Sequence, residues 1–495
     1  MSDFLRNPPS ATSLLESMRD IGYSLETALA DLIDNSISAN ASTVKVFCIT
    51  ATDLPYVAII DDGHGMDENE LFLAMQHGGI STSTTRTKKD LGRFGLGLKT
   101  ASFSQCRSLT VISKKENGDL TGLAWDLDVV AKKNDWLVRR LSSEEIALIP
   151  HISSIAKQGT IVLWHKLDRL FETEEGQKRA DLVNSKLETV RRHLALVFHR
   201  FLGGELKHLG FSKLTLKLNN IEIDAFDPFC RSNLATQIYP EQVVRVNNSR
   251  VTLKPYILPH HSRLKASEYE YYQDRSDFLS NQGAYVYRNG RLMAWGDWFR
   301  LVPKGEATKL ARVQIDFSNE LDEAWTIDIK KSRAQPPRQV REGLRQILNQ
   351  ISEASIRVHR GRGEKYFQEE QEPLWDRYPD REHGIRYSIN TEHPFIVSFQ
   401  ERFGEEATKA VHIILEAASS TLPVEMIYSD LSTSPRDLKQ FTPAKKSELR
   451  EEIKDFKHGF FGNQAIDNDA VLNLLLMMPK YKNYKDIIKE ILSEI

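Results

Sequence analysis

The chain has 495 residues, of which 40% are hydrophobic and 27% are charged, a composition typical of a folded protein with two or three domains. Its formal net charge is only −2, so any affinity for nucleic acid must come from local basic patches rather than from an overall positive field. There is no apolar run of transmembrane length and no apolar signal core at the start, which predicts a cytoplasmic protein that does not associate with membranes.

The first polar motif lies on a predicted amphipathic helix. Apolar residues recur with helical spacing between Leu25 and Ile33. This periodicity places Asp31 and Asn35 one turn apart on one face. A carboxylate and an amide oxygen in this arrangement can hold Mg²⁺ and orient an attacking water. An ordinary solvated helix face has the same composition, so the motif alone does not define a site.

The second motif follows the apolar run Tyr56–Ile60, which predicts a buried strand. Asp61, at the end of that strand, can accept a hydrogen bond from an adenine amino group. Gly63 and Gly65 would let the backbone approach a ligand, and Met66 offers a polarisable surface for the base. Asp-x-Gly-x-Gly also occurs in many turns that bind nothing.

The third motif has glycines at positions 92, 95 and 97, directly before a predicted helix that starts near Leu98. Backbone amides at such a helix start can hold phosphate groups. Residues 77–90, which precede the motif, are rich in hydroxyl side chains and have little apolar periodicity, which predicts a mobile loop. Each motif is weak evidence alone, but their order and close spacing together predict an ATP site that is not a P-loop.

Together the three motifs resemble the N, G1 and G2 boxes of the GHKL superfamily, which includes gyrase, a heat-shock chaperone, histidine kinases and MutL. Residues 30–36 (ADLIDNS) and 92–99 (GRFGLGLK) most resemble the MORC-like branch and its bacterial relatives. The resemblance is strong over residues 10–165 and weaker to about residue 340. It implies an α+β protein: a Bergerat-type GHKL α/β sandwich, then an S5-like transducer domain and a small C-terminal helical domain.

The resemblance also implies roles for individual residues. Asn35 would be the Mg²⁺ ligand, Asp61 the carboxylate that reads adenine, and Thr160 the threonine that supports the base through water. Residues 77–90 would be the ATP lid. The other implied contacts with ATP come from the two glycine motifs and are Gly63, Gly65, Met66, Gly95, Leu96, Gly97, Leu98, Lys99 and Thr100.

The sequence departs from the family at the general base. GHKL proteins usually have glutamate four residues before the Mg²⁺ asparagine, and here that position is Asp31. Aspartate is one methylene shorter, so its carboxylate would sit farther from the γ-phosphate unless the helix moves inward. Binding of ATP is therefore predicted together with slow hydrolysis, in which Asp31 is the catalytic base.

Beyond residue 165 the pattern becomes mixed. It predicts a long helix over 175–203, a hairpin through Asn219-Asn220, and strands near 241–258, 284–292 and 311–317. The predicted domains are residues 1–168 for ATP binding with an N-terminal arm, 169–345 for the transducer, 346–390 for a helical or linker segment, and 391–495 for a helical domain.

Two lysines are candidates for a transducer contact with the γ-phosphate. Residues 325–332 alternate like a strand and then approach Pro336-Pro337, and they include Lys330 and Lys331. Lys331 is slightly preferred because it lies nearer the loop, but a solvated lysine at a strand end is an equally good interpretation.

Residues 355–365 are rich in arginine. A solvated linker turn is favoured there over a phosphate-contacting patch, because no aromatic pattern accompanies the charges.

The resemblance implies a mechanism, a homodimer that forms on ATP binding. In MutL-like and MORC-like proteins ATP orders the lid, N-terminal arms cross between protomers, and the pair closes as a clamp, commonly on DNA. Residues 1–24 would be the arm, with a helix over Ser13–Arg19. Restriction or phage defence is the favoured context, with a partner nuclease for any cutting of DNA. The alternative is a chaperone-like or scaffold ATPase that acts on protein partners; a kinase is disfavoured because no phosphoacceptor histidine helix is present.

Overall fold

The computed structural model describes residues 10–76, 90–92, 97–171, 174, 176–259, 264, 281–305, 308–327, 334–351, 374–380, 384–424, 426–427, 446–462 and 467–494. The chain divides into two compact units, residues 1–356 and 357–495.

The helices of the first unit are α1 (Ala11–Arg19), α2 (Leu25–Ser38), α3 (Glu68–Met75), α4 (Gly97–Phe103), α5 (Leu127–Lys133), α6 (Ser143–Ala147), α7 (Gly176–Val197), α8 (His199–Leu202) and α9 (338–351). Its strands are β1 (Thr43–Ile49), β2 (Tyr56–Asp61), β3 (Ser108–Lys114), β4 (Thr121–Asp126), β5 (Arg139–Arg140), β6 (Gly159–His165), β7 (Thr215–Leu218), β8 (Ile221–Glu222), β9 (Gln237–Ile238), β10 (Gln242–Val246), β11 (Ser249–Ile257), β12 (Gly283–Arg288), β13 (Arg291–Asp297), β14 (Ala311–Phe317), β15 (Thr326–Ile327) and β16 (Ala334–Gln335).

The first sheet has eight strands in the order β5-β4-β3-β6-β2-β1-β7-β8. Neighbouring strands are antiparallel except for β1 and β7, which are parallel. The predicted hairpin forms β7 and β8, and its two turn residues have positive φ, 47° at Asn219 and 68° at Asn220, as a tight two-residue turn requires. Because this hairpin pairs with β1, the first sheet extends beyond the predicted boundary at residue 168.

The two faces of the first sheet are covered differently. On one face α2 packs against α4 and α7. Phe47, Ile60, Ile112 and Leu163 form an apolar cluster together with Leu141, Ile146 and Ile155 from the segment after β5. Burial of both faces explains why β2 and β6 are nearly continuous apolar runs. The architecture confirms the predicted α/β sandwich.

The described part of the predicted N-terminal arm packs on its own domain. Ala11 and Leu15 of α1 are buried, and α1 contacts α4 and α5. At its end Arg19 is 1% exposed; its guanidinium donates to the Cys106 carbonyl over 3.1 Å and pairs with Asp168 at 2.5 Å. The predicted helix is therefore present but is held by its own chain. Residues 1–9 lie outside the described part.

A second sheet follows in the order β10-β11-β14-β12-β13, with β9 paired to the end of β11. The strands predicted near 241–258, 284–292 and 311–317 are all confirmed in it. α9 lies close against β10, because a Cβ built on Gly343 would be 2.8 Å from Val244 Cγ2. The long predicted helix is also present, but it breaks at Phe198 between α7 and α8. The S5-like assignment of this part stays a prediction.

The second unit contains β17 (Trp375–Asp380), β18 (Gly384–Ile389), α10 (Pro394–Ser420), α11 (Lys446–Phe461), α12 (Asn468–Met477) and α13 (Lys485–Glu494). The prediction of a helical or linker segment over 346–390 is wrong for β17 and β18, which pair antiparallel. Pro379 suggested a linker, but a two-stranded hairpin has only edge strands, and these tolerate proline.

The predicted C-terminal helical region is confirmed. α11, α12 and α13 enclose a core that includes Ile453, Leu475 and Ile488. α10 is interrupted at Gly404, whose φ is 77°. In the described part of the chain, no helix combines the length and the apolar character needed to cross a bilayer.

We expect Leu163→Ala to lower the free energy of unfolding by about 2–5 kcal/mol, because the substitution opens a cavity in the apolar cluster under the first sheet. Leu163 is 0% exposed there. The matched control is Leu54→Ala, since Leu54 is 76% exposed between β1 and β2; its effect should stay within about 0.5 kcal/mol. Urea unfolding of both variants measures the difference, and equal losses would contradict the assigned core.

Candidate nucleotide-binding site

The buried carboxylate of Asp61 is the centre of the candidate site. Asp61 ends β2, lies opposite Thr160 of β6, and is 8% exposed. Its Oδ2 accepts a hydrogen bond from Ser36 Oγ at 2.8 Å, and its Oδ1 accepts one from the Gly63 amide at 2.9 Å. Burial raises the pKa of Asp61, and the bonds from Ser36 and Gly63 offset part of that effect. The carboxylate is thus fixed in orientation before any ligand arrives.

Two hydroxyl groups lie in the neighbouring strands, on Thr160 opposite Asp61 and on Ser113 of β3. Thr160 Oγ1 lies 2.8 Å from Ser113 Oγ. Ser113 Oγ accepts a hydrogen bond from the Met66 amide at 2.8 Å and donates to the Gly159 carbonyl at 3.2 Å. Met66 and Thr160, predicted separately from the sequence, are therefore joined through one serine of β3.

The glycines of the second motif are required by the chain's own backbone. Gly65 has φ +65°, and a Cβ there would lie 1.9 Å from the Lys114 carbonyl oxygen. At Gly63 a Cβ would lie 2.8 Å from the Ala39 Cβ. No side chain fits at these distances. Close packing against β3 and the end of α2 accounts for both glycines, in addition to the predicted approach of a ligand.

α2 carries the first motif as predicted. Asp31 is 4% exposed, and its Oδ2 accepts a hydrogen bond from the Tyr23 hydroxyl at 3.0 Å. Asn35, one turn later, is exposed. A Cβ built on Gly97 would lie 3.8 Å from Asp31 Oδ2, so the start of α4 faces the same carboxylate. The fold brings the first and third motifs together at this point.

Lys99, a predicted ATP contact, is engaged by the chain itself. It is 3% exposed, and its ammonium donates to the carbonyls of Ala74 and Gln76, each at 2.9 Å. Burial lowers the pKa of Lys99 to about 8, so the side chain is still mainly protonated at neutral pH. The cation therefore fixes the end of α3, immediately before residue 77.

The remaining predicted contacts are partly described. Gly97, Leu98 and Thr100 lie in α4. Thr100 is 1% exposed, and its hydroxyl has no hydrogen-bond partner among the described residues. Several predicted residues lie outside the described part of the chain: Gly95, Leu96, Lys330, Lys331, residues 77–89 of the predicted lid and residues 355–365 of the arginine-rich segment.

Three polar side chains of the site were not predicted from the sequence: Tyr23, Ser36 and Ser113. Ser36 directly follows Asn35 and lies one helical turn after Leu32, so the helical period could have placed it toward the sheet. Ser113 depends on the register of β3 against β6, in which it faces Thr160. Tyr23 lies in the turn before α2, where no helix or strand periodicity could have predicted the direction of its side chain.

The part of the chain that carries the candidate site matches a known family of domains. The family described as histidine kinase-, DNA gyrase B-, and HSP90-like ATPase matches residues 23–160. That range contains α2, Asp61, the third motif and Thr160, so these residues form a GHKL-type ATPase domain. The predicted superfamily is confirmed.

The chain is also similar over a short stretch to MORC ATPases. It is 34% identical over 93 residues to ATPase MORC2B of Mus musculus, a match that covers 18% of this chain and 9% of that protein. It is 30% identical over 97 residues to ATPase morc-1 of Caenorhabditis elegans, covering 20% and 11%. For human ATPase MORC2 the identity is 31% over 93 residues, covering 18% and 9%. The chain thus matches only about a tenth of the length of these relatives.

The described residues fit ATP with Mg²⁺. Asn35 offers one exposed amide oxygen, which suits an ion that keeps several waters and is held largely by phosphates. The Thr100 hydroxyl needs an acceptor, and a phosphate oxygen would supply one. When bound, Mg²⁺ would neutralise charge on the phosphates.

We expect Asp61→Asn to weaken ATP binding at least about tenfold, or about 1.4 kcal/mol. The asparagine amide keeps only one acceptor oxygen. Its N–H donors would face the Ser36 hydroxyl or the Gly63 amide, which are themselves hydrogen-bond donors to this side chain. Isothermal titration calorimetry with ATP measures the change.

Asp62→Asn is the neighbouring control. Its carboxylate accepts hydrogen bonds from the Ser42 and Thr43 amides at 2.7 and 2.8 Å, within the turn before β1. This substitution should lower stability and leave the ATP affinity of the folded protein unchanged. Equal affinities for the Asp61 and Asp62 variants would contradict the assignment of Asp61.

Proposed function

We propose that the protein is a cytoplasmic MORC-like ATPase that hydrolyses ATP slowly and uses nucleotide-gated dimerisation as a clamp on DNA. The observation that carries the proposal is that three residues with predicted roles, Asp31, Asn35 and Asp61, lie on α2 or are held by it. Asp31 and Asn35 are one turn apart on this helix, and Ser36 of the same helix holds the Asp61 carboxylate at 2.8 Å. A shift of α2 would therefore change base recognition, metal binding and water activation together.

Recognition of adenine is assigned to Asp61, supported by Thr160 through water. The carboxylate is oriented by Ser36 and Gly63, so it can accept the adenine amino hydrogen without rearranging. Asn35 would hold Mg²⁺ against the phosphates. The start of α4 and the preceding glycine-rich segment would supply amide donors to the same groups.

Hydrolysis is assigned to Asp31. Its carboxylate would take a proton from water while the water oxygen attacks the γ-phosphorus and the bond to the β,γ-bridging oxygen breaks, which yields ADP and phosphate. The Tyr23 hydroxyl donates to the carboxylate at 3.0 Å and orients it. The short aspartate side chain, held in place by this bond, would sit far from the γ-phosphate and so keep turnover slow.

The clamp is inferred from the resemblance to MORC-like and MutL-like proteins, in which ATP closes a homodimer. Contact with DNA would have to be local, because the net charge is −2. α9 presents Arg338, Arg341 and Arg345 on its exposed face, a row suited to backbone phosphates. Restriction or phage defence with a partner nuclease is the biological setting we favour. Lys331, or Lys330, is proposed to contact the γ-phosphate.

A chaperone-like or scaffold ATPase is the second candidate, and one observation favours it. Ile413 and Ile414 on α10 are 69% and 66% exposed. Adjacent apolar side chains on a surface helix are suited to contact with protein. In this case the partner would be a protein client rather than DNA.

We expect Asp31→Asn to lower kcat at least about 100-fold while ATP affinity changes less than about threefold, because the amide cannot accept the proton from water. Tyr23→Phe is the control for geometry. It removes the 3.0 Å hydrogen bond and keeps the carboxylate, so it should retain turnover within about tenfold. Single-turnover hydrolysis measures both, and full activity in Asp31→Asn would assign the base elsewhere.

We expect the protein to be monomeric without nucleotide and with ADP, and dimeric with a non-hydrolysable ATP analogue, as measured by size-exclusion chromatography with light scattering. Asn35→Ala should abolish the dimer. On closed circular DNA the dimer should survive a high-salt wash that removes simple electrostatic binders, and cutting the circle should release it. An unchanged mass in every nucleotide state would contradict the clamp and favour the scaffold.

A further inference from the structure

The turn of the β12–β13 hairpin is inserted against the ATPase domain. Asn289 and Gly290 form it, with φ values of 50° and 83°. Arg288 before the turn and Arg291 after it are only 1% and 4% exposed. Two buried guanidinium groups at one tight turn are unusual, since a buried charge requires partners.

Arg288 binds a carboxylate and two backbone carbonyls at once. Its Nε and Nη2 donate to the two oxygens of Asp322, each at 2.6 Å. Its Nη1 donates to the carbonyls of Asp90 and Leu91, each at 3.1 Å. The Asn289 amide reaches the Asp90 carbonyl at 3.4 Å. The second sheet therefore holds residues 90–92, which lead directly into the glycine-rich third motif.

Residues 90–92 are held from the other side by α2. The Leu91 amide donates to Ser38 Oγ at 3.2 Å, and Ser38 Oγ in turn donates to the Asp34 carbonyl at 2.9 Å. The series of hydrogen bonds that starts at Arg288 thus ends on α2, the helix that carries Asp31 and Asn35.

Arg291 makes the second link to the same helix. Its Nε donates to Asp34 Oδ1 at 3.2 Å, and the two side chains are 4% and 1% exposed. Asp34 is the residue directly before Asn35. His193 lies close by; burial lowers its pKa to about 3, so it is neutral and adds no competing charge.

These hydrogen bonds cannot be exchanged for equivalent ones if the second sheet moves. A guanidinium that makes four directed hydrogen bonds in a buried site has no alternative set of acceptors, and a buried pair that loses one member leaves an unpaired charge. If the second sheet shifts relative to the first, either α2 and residues 90–92 move with it or the links break.

We propose that Arg288 and Arg291 are positioning residues that fix the spacing between the Mg²⁺-binding helix and the start of the glycine-rich phosphate motif, and so make triphosphate binding depend on the position of the second sheet. The inference rests on the proposed function, because it assigns regulation of that same site. Neither arginine is a catalytic residue. The coupling is reciprocal, so nucleotide binding at α2 would bias the second sheet equally.

The test uses the full-length protein with Arg288→Gln, which removes the charge, and Arg288→Met, which retains much of the aliphatic packing. The matched control is Arg450→Gln, since Arg450 also pairs with a carboxylate, Glu494 at 3.0 Å, but is 44% exposed and belongs to the second unit. Hydrogen exchange of the segment at Asp90–Leu91 is measured without nucleotide. Binding of a non-hydrolysable ATP analogue is measured by calorimetry, and urea unfolding reports overall stability.

Both Arg288 variants should speed exchange at residues 90–92 and weaken analogue binding at least about fivefold, while the Arg450 control stays within about twofold of wild type. Arg288→Lys should recover part of both effects, because an ammonium can reach the carbonyls but cannot also bind Asp322 in bidentate fashion. Wild-type exchange and affinity in Arg288→Met would overturn the proposal. So would faster exchange spread evenly over the chain, which is the signature of a purely structural role.

Asp322→Asn replaces the Arg288 variants if these do not fold. It leaves the carbonyl contacts of Arg288 in place and should give smaller changes of the same kind; wild-type behaviour would again overturn the proposal. Failure of the clamp is distinguishable, because it would appear as an unchanged mass with nucleotide while the Arg288 effects on exchange and affinity persist. If the wild type bound no nucleotide, the exchange comparison would still decide whether Arg288 holds residues 90–92.

Discussion

The antiparallel pairing of β2 with β6 is the constraint on which the site depends. Its register sets Asp61 opposite Thr160 at one end of the sheet. The same pairing brings Gly159 so close to Asp61 that a Cβ there would lie 2.2 Å from the Asp61 carbonyl oxygen. A slip by one residue would turn Asp61 to the other face and away from Ser36. The register requires glycine at position 159, opposite the end of β2, and both strands are closely packed on both faces, so a slip would break these contacts. The pairing therefore also fixes the groups at the end of these strands.

The second sheet of the first unit is linked to the first sheet and its helices by buried charged side chains as well as by apolar contacts. Breaking a buried pair such as Arg291 with Asp34 typically costs about 3–5 kcal/mol, because the remaining charge is left without a partner. That is a large share of the 5–15 kcal/mol by which a folded domain is usually stable. The first unit is therefore stiff where α2 meets the second sheet, and any nucleotide-driven motion must carry these residues along as a group.

The sequence predicts the elements of this fold better than their assembly. Helical period identified α2, and the glycine motifs located the ends of β2 and the start of α4. The candidate site residues on those elements, Asp31, Asn35 and Asp61, were named from local pattern together with the family resemblance. Ser113 and Arg291 do not, since each acts through a partner far away in the chain whose position depends on strand register. The hairpin at Asn219-Asn220 was predicted, yet its membership in the first sheet was not, because a turn signal does not state which strand the hairpin will join.

The pairing of the β7–β8 hairpin with the first sheet decides where a stable fragment of the protein can end. β7 pairs in parallel with β1 from Thr43 to Val46 and so covers that edge of β1. A fragment that stops at residue 168 would retain the whole family match and every described contact of the site before that point, but it would expose this edge. It would also lose α7, which covers α2. An uncovered strand edge beside apolar surface can pair with other chains, so such a fragment should aggregate. A fragment that continues past β8 keeps the edge of β1 covered and should aggregate less.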